Sequence, residues 1–586
     1  AASDVYKRQG MNLLKFEATV YKDKVTVDLG TLTDDQITIA TTAVDDESGS
    51  HMAKPEKSIT LVDTVEFEGL KKGQEYKLVG TLMDKETGKP IQIDGKPVTA
   101  ETTFQAKKST GSVKVKFTFD ATSLKGKTVV VFEELYQEDL KLAVHADITD
   151  EDQTVYFPEV STSAKDADTD SNLSCADEEV TLIDTMTYKN LVPGETFHVT
   201  GTLMDKETGK PVEADGKPIT STLEFTPKKS SGSVDIPFTF IGSKLRGKTV
   251  VVFESVTYKD KEVAAHADFE DIGQTILFPE LATTASDKET DSHHAAADKE
   301  VTLVDMVEYK NLIADGRTYH LSGVLMDKET KKVLEVNGKQ VTAEAEFIPE
   351  EPSGSIELTF TFDGSELKGK TIVAFETLTV NKKEVAVHAD ITDESQTIYF
   401  PEIRTSAKDR EDGDQEVATN TKVTIVDTVS YKNLISDGKH TYRIKGILMD
   451  KKTGKALLID NKQVTSETEF IPKKPDGNVE LSFTFDSRTL AGHEVVVFEQ
   501  LLYVHGKTEV LIATHEDIND KGQTVKVTEL PKEPPPEPPS ENTTKSSPVK
   551  TGDETPFIFY LILAFASLAL ISAGGYLFYK KRRNKS

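Results

Sequence analysis

Four segments of this sequence repeat a set of groups that can react with one another: His-x-Asp-x-x-Asp-x-x-Gln-Thr, at His145 to Thr154, His266 to Thr275, His388 to Thr397 and His515 to Thr524. A surface loop has no packing reason to hold these polar types at one spacing. Two acids keep step with them, a Glu closing an apolar run (Glu133, Glu254, Glu376, Glu499) and an upstream Asp (Asp63, Asp184, Asp305, Asp427). The residue after that Asp is Thr64, Thr185 and Thr428 but Met306 in the third copy, so its hydroxyl is dispensable. By contrast, a T-[TS]-A phrase supplies a Thr every time, at Thr41, Thr162, Thr283 and Thr405. A Thr hydroxyl is a weak nucleophile that needs an adjacent base; His is the usual base, and acids orient it. The accompanying Gln offers a carboxamide from the protein itself. Attack of the hydroxyl on that carboxamide, with ammonia leaving, gives an internal ester in a single turnover. A multiple-turnover enzyme has no need of the same site four times.

The elements that must hold these groups repeat as well. LMDKETGK stands at Leu82 and Leu203, LMDKETKK at Leu325 and LMDKKTGK at Leu448, and the T-[TS]-A starts advance by 121, 121 and 122 residues. That period is too long for a solenoid, so each copy is expected to be a self-contained domain. Within a copy, SVKVKFTFD (Ser112 to Asp120) alternates apolar and polar as a half-buried strand does. KTVVVFEEL (Lys127 to Leu135) is apolar throughout and reads as a strand covered on both faces. Asp94-Gly95, Asp215-Gly216 and Asn337-Gly338 mark two-residue hairpin turns. The fold class expected is all-β, a tandem array of four immunoglobulin-like β-sandwiches, with helix only at the C-terminus. Glu133, set among apolar residues, should be desolvated, carry a raised pKa and share a proton with Asp63. It could then hydrogen-bond the carboxamide oxygen.

Composition narrows the setting. The chain has 586 residues, a net charge of −29, one cysteine and no tryptophan. Such acidity argues against a nucleic-acid partner, because phosphate binding needs clustered Lys and Arg. The single Cys175 excludes a disulfide framework and Cys-based zinc or iron–sulfur sites, and no metal or cofactor is called for. Near the end, Phe557 to Tyr579 is uncharged and long enough to span a membrane, followed by the basic KKRRNKS. The positive-inside rule then leaves everything upstream outside the cell. Pro531 to Pro548 is a proline-rich stretch that reads as an extended spacer. The start, AASDVYKRQG, has neither Met nor an apolar leader, so the chain reads as the C-terminal part of something longer.

The order of spacer, Thr551-Gly552, apolar span and basic tail resembles the sorting signal of Gram-positive cell-wall proteins, with Pro548 and Val549 where that LPxTG motif has Leu and Pro. The resemblance implies cleavage between Thr551 and Gly552 by a sortase and transfer of Thr551 to peptidoglycan. The repeats themselves, through VVVFE at Val129 to Glu133, VAFE at Val373 to Glu376 and the four His-to-Thr segments, resemble the Thr-Gln ester-bond domains, or VaFE repeats, of Gram-positive surface adhesins. In that family an ester joins the first and last strands of a β-sandwich. The resemblance implies the crosslinks Thr41 to Gln153, Thr162 to Gln274, Thr283 to Gln396 and Thr405 to Gln523. It implies His145, His266, His388 and His515 as bases, assisted by Asp63 with Glu133, Asp184 with Glu254, Asp305 with Glu376 and Asp427 with Glu499. Thr42, Ser163, Thr284 and Ser406 adjoin the chosen threonines as alternative nucleophiles.

The organisation that follows is an N-terminal fragment (1–38), repeats at 39–159, 160–280, 281–402 and 403–530, a linker (531–547), a sorting signal (548–553), a transmembrane helix (557–579) and a cytoplasmic tail (580–586). Residues 16 to 39 read as the tail of a further copy. Phe16 to Lys24 parallels Phe253 to Lys261, Gln36 takes the ester position and Asp28 replaces the His, so no ester is expected there. The function this suggests is a wall-anchored adhesin stalk that is not a turnover enzyme. Its partners would be sortase and peptidoglycan at one end and a host or environmental ligand through a missing N-terminal region at the other. A sortase-polymerised pilus subunit, Lys-Asn isopeptide bonds and calcium sites at the His-x-Asp-x-x-Asp segments are the alternatives.

Overall fold

In this computed structural model the described residues are 16–21, 24–29 and 37–528, apart from position 215. Thr551, Gly552, the apolar span, the proline-rich stretch, Gln36 and Asp215 lie outside them. Among the described residues no helix is long and apolar enough to cross a membrane. Single turns of 3-10 helix accompany the strands, such as Thr122–Leu124.

The first repeat is built from two antiparallel sheets. One has three strands, in the order Thr38–Asp45, Ile59–Glu68, Gly111–Phe119. The other runs Leu140–His145, Thr128–Gln137, Glu75–Asp84, Thr99–Gln105, and the short closing strand Thr154–Tyr156 pairs with the start of Thr128–Gln137. The alternation read from Ser112 to Asp120 becomes a strand with Val115 and Phe117 inside. In the other sheet, Thr128–Gln137 buries Val129, Val130 and Val131 together, as a centrally placed strand must. These apolar faces meet in one core per repeat, with Leu61, Val65, Leu78, Leu82, Phe117 and Leu135 in the first. The same order of strands recurs in the other three, and the immunoglobulin-type sandwich expected from the strand count fits this two-sheet arrangement.

Turn chemistry follows the sequence. Asp94 and Gly95 both take positive φ (51° and 74°), as a two-residue turn between Gln92–Ile93 and Lys96–Pro97 requires; Asn337-Gly338 does the same. In the N-terminal fragment Phe16–Tyr21 and Lys24–Leu29 form a hairpin whose register sets Glu17 opposite Asp28. In the first repeat the register likewise sets Glu133 opposite His145.

Candidate functional site

Strand alternation alone decides which of two adjacent hydroxyls enters the sandwich. On Thr38–Asp45 the residues Ile39, Thr41 and Ala43 point inward, and Thr42 is exposed. Thr284 is exposed beside the buried Thr283. Asp63 lies on the inward face of the neighbouring strand opposite Ala43, diagonal to Thr41 on the same face. Glu133 comes from the facing sheet, inward with Val129, Val131 and Leu135. Its carboxyl fits because residue 80 opposite is glycine: a Cβ there would collide with Phe117 and Glu133 Oε1. Gly201, Gly323 and Gly446 hold the corresponding positions, each against a core side chain.

Gln153 precedes the closing strand, completely buried, and its backbone is tied on both sides. Val131 N–H donates to Gln153 O (3.1 Å), and Ala43 N–H donates to Asp152 O (2.9 Å). The carboxamide is thereby carried to the first strand, and Gln153 Nε2 contacts Thr41 Oγ1. The same contact recurs between Gln274 and Thr162, Gln396 and Thr283, and Gln523 and Thr405. In three repeats the glutamate bridges both partners. Thr162 Oγ1 donates to Glu254 Oε2 at 3.0 Å and Gln274 Nε2 donates to the same oxygen at 2.5 Å. Glu376 and Glu499 accept from Thr283 and Thr405 at 3.3 Å each, and from Gln396 and Gln523.

Asp63 and Glu133 face each other with no exposure to solvent. Burial, first, and the charge of Asp63, second, push the Glu133 carboxyl far above the usual range; burial also raises Asp63, offset in part by its hydrogen bond to Glu133 and the charge of His145. Glu254, Glu376 and Glu499 are raised the same way by burial and then by Asp184, Asp305 and Asp427. Both oxygens of each Asp, and Oε1 of each Glu, are buried without an N–H or O–H donor. Two carboxylates meeting in a dry core are satisfied only by a proton held between them. The glutamate is therefore protonated toward its aspartate, leaving Oε2 free to accept from Thr and Gln.

This geometry changes one expectation. In the second, third and fourth repeats the glutamate reaches the carboxamide nitrogen, whereas Gln153 Oε1 and its three counterparts are buried without a partner. An unpaired buried amide oxygen costs about 1–3 kcal/mol. An ester carbonyl is a weaker acceptor, so conversion relieves part of that cost.

His145 ends its strand directly across from Glu133, a register produced by a β-bulge at Leu135/Tyr136 that recurs at Val256/Thr257, Leu378/Thr379 and Leu501/Leu502. Its ring faces Ile39 O (Nδ1, 3.4 Å) and Asp150 Oδ2 (Nε2, 2.7 Å), not Thr41 itself. His388 and His515 repeat both contacts, on Leu281 O with Asp393 and on Ile403 O with Asp520; His266 keeps the contact to Asp271, at 2.9 Å. Two acceptors around one imidazole are both satisfied only when the ring has gained a proton.

The acid partners Asp150, Asp271, Asp393 and Asp520 are site residues that the reading of the sequence did not single out. Their signal was present as the second Asp of the repeated segment. The first Asp closes the loop instead, since Asp147 Oδ1 accepts from Thr149 N–H (2.9 Å) and Thr149 Oγ1 (2.7 Å). Asp390 does the same with Thr392.

The profile of the T-Q ester bond containing domain matches the chain four times, at residues 37–157, 158–278, 279–400 and 401–527. Among curated proteins none matches the chain. Among solved structures, similar ones include a bacterial adhesin from Mobiluncus mulieris containing intramolecular disulfide, isopeptide and ester bond cross-links. It is 14% identical, with 43% of this chain and 87% of that one covered and a TM-score of 0.20. Three N-terminal domains of the Hoc capsid protein of bacteriophage RB49 also match, at 11% identity, 64% and 100% coverage and a TM-score of 0.22. With a Thr set against a buried Gln, Asp and Glu in each of four matched domains, the chain belongs to the T-Q ester bond domain family.

Proposed function

We propose that each repeat closes an ester between its first strand and the residue before its last strand, and that the array is the wall-anchored stalk of a bacterial surface adhesin. The observation that carries this reading is the Thr-Gln contact, repeated in four domains beside a buried protonated acid. The step balances within the site. Thr Oγ1 bonds to the Gln Cδ, the Cδ–Nε2 bond breaks, and the hydroxyl proton leaves with the nitrogen as ammonia. The glutamate is suited to carry that proton, because one oxygen, Oε2, touches both the hydroxyl that loses it and the nitrogen that gains it. His145 stands across the strand from Glu133, and its charge when protonated stabilises the ionised Asp63.

Replacing Glu133 with Gln tests the role of the acid. The amide can still donate to Asp63, so the fold is kept, but it cannot relay a proton. Intact mass of the full E133Q chain should show three ammonia losses in place of four. A fourth loss in E133Q would remove the glutamate from the mechanism. Hydroxylamine, which cleaves esters, separates this linkage from a Lys-Asn isopeptide bond of equal mass change.

A bond from first to last strand carries tension past the sheets, which is the property a stalk needs. The Thr551-Gly552 signal, the apolar span and the acidic, nearly cysteine-free composition support an exposed, wall-attached setting. On muralytic extracts of the producing cell, one anchored species is expected. A ladder of polymers would replace the stalk with a pilus subunit.

A further inference from the structure

From the contacts between consecutive repeats we infer that each repeat is built to dock rigidly on the next, through an asparagine clasp and an inserted side chain. The clasp is Asn190 at the first junction, Asn311 at the second and Asn433 at the third, each from the Tyr-Lys-Asn-Leu phrase of the following repeat. Asn190 Nδ2 donates to Lys127 O (2.6 Å) and Phe157 O (3.2 Å) of the preceding repeat, and its Oδ1 accepts from Thr128 Oγ1 (2.7 Å). Asn311 holds Lys248 O, Phe278 O and Thr249 in the same way, and Asn433 holds Lys370 O, Phe400 O and Thr371. All three asparagines have φ of 62–63°, a left-handed conformation that Asn tolerates and that aims the amide across the junction.

The inserted side chain comes from the other direction. Met52 of the first repeat is 2% exposed and belongs to the core of the second; Leu173 of the second is fully buried in the core of the third. At the third junction the equivalent residue is His294, fully buried, with Nε2 2.8 Å from the Tyr442 hydroxyl of the fourth repeat. Each is bridged to its own repeat by the closing strand, at Tyr156, Leu277 and Tyr399.

The fourth repeat shows what is specific to the junctions. The fourth repeat has no described successor, and there the threonine becomes Glu494, the inserted residue Glu416 and the closing-strand residue Lys526, all exposed. The first repeat has Gly69 at the asparagine position, with φ of 81°: the turn is kept and the clasping side chain is gone. Apolar and hydrogen-bonding groups thus occur at all three junctions between described repeats, and charge replaces them on the fourth repeat, which has no described successor. Small domains joined end to end ordinarily move relative to one another unless their interface is specific. Here the interface is formed three times from one set of positions.

The test uses the full chain with Cys175→Ser and spin labels at exposed Lys108→Cys and Lys229→Cys, on the first and second repeats. The expected result is one narrow distance distribution, which Asn190→Ala, and separately Met52→Glu with Thr128→Glu, broaden roughly twofold or more. Intact mass with all four ammonia losses shows that each repeat has still folded. A broad distribution in the parent, or an unchanged width in both variants, overturns the inference.

Discussion

Changing Thr162 to Ala should leave the full chain three ammonia losses instead of four and make the second repeat the weakest of the array. Closing 112 residues into a covalent loop stabilises by about 4–5 kcal/mol in the chain-entropy treatment of crosslinks. For a domain of this size that corresponds to roughly 15 °C in melting temperature. The second repeat should therefore unfold first on heating in T162A, as a separate transition below those of the other three. The neighbouring hydroxyl is the internal control. Ser163 is exposed on the opposite face of the same strand, so Ser163→Ala should keep all four losses and the parent melting profile. A parent chain at its full unmodified mass would remove the ester altogether. Four losses in T162A would assign the nucleophile to another residue.

Acid should release the third junction and leave the first two closed. His294 is buried against Tyr442 and Tyr503 of the fourth repeat (ring centroids 5.5 and 4.9 Å) and Tyr399 of its own, and burial pulls its pKa down to about 3. The charged groups nearby reinforce this: His440 and His293 repel a proton on His294, and Asp437 sits beyond, with Oδ1 2.9 Å from His440 Nδ1. The sign follows from proton counting. The undocked histidine titrates near 6.5 and the docked one near 3, so the undocked state binds more protons between those values. Docking is undiminished above pH 6.5 and weakens steadily as pH falls toward 3. At pH 4.5 the docking constant should be about a hundredfold smaller than at neutral pH. Labels at Glu351→Cys and Lys473→Cys, in the Cys175→Ser background, should report a distribution that widens on acidification. His294→Leu, which copies Leu173 at the second junction, should abolish the response. A pH-independent width in the parent chain would show that His294 does not control docking.

The reactive set was readable because it is periodic. Thr41, Asp63, Glu133, His145 and Gln153 are drawn from four separate segments, yet four copies in step made each visible against a varied background. The strand pattern was readable for the same kind of reason, since alternation at period two and Asp-Gly or Asn-Gly turns are local properties. Asp150 was visible in the motif but not distinguishable from Asp147, because both are acids in one loop. Only the folded loop turns one to His145 and the other to Thr149. Gly80 carried no chemical signal at all. Its necessity appears only when the Glu133 carboxyl is seen to occupy the space of its missing side chain.

By itself, the sequence determined that this is an all-β array of four equivalent domains and which residue types meet in each, because repetition and alternation are written along the chain. Tertiary structure decided what depends on atoms brought together from distant segments. It set the glutamate on the carboxamide nitrogen in the third repeat, because the tie between Ala285 and Ser395 fixes where Gln396 enters. It placed one proton between two acids, because both oxygens of the aspartate and Oε1 of the glutamate are buried there without another donor. It also gave the Tyr-Lys-Asn-Leu phrase its role at the junctions. Along one chain the phrase marks a shared strand end, and only against the preceding repeat does its asparagine meet the carbonyls it holds.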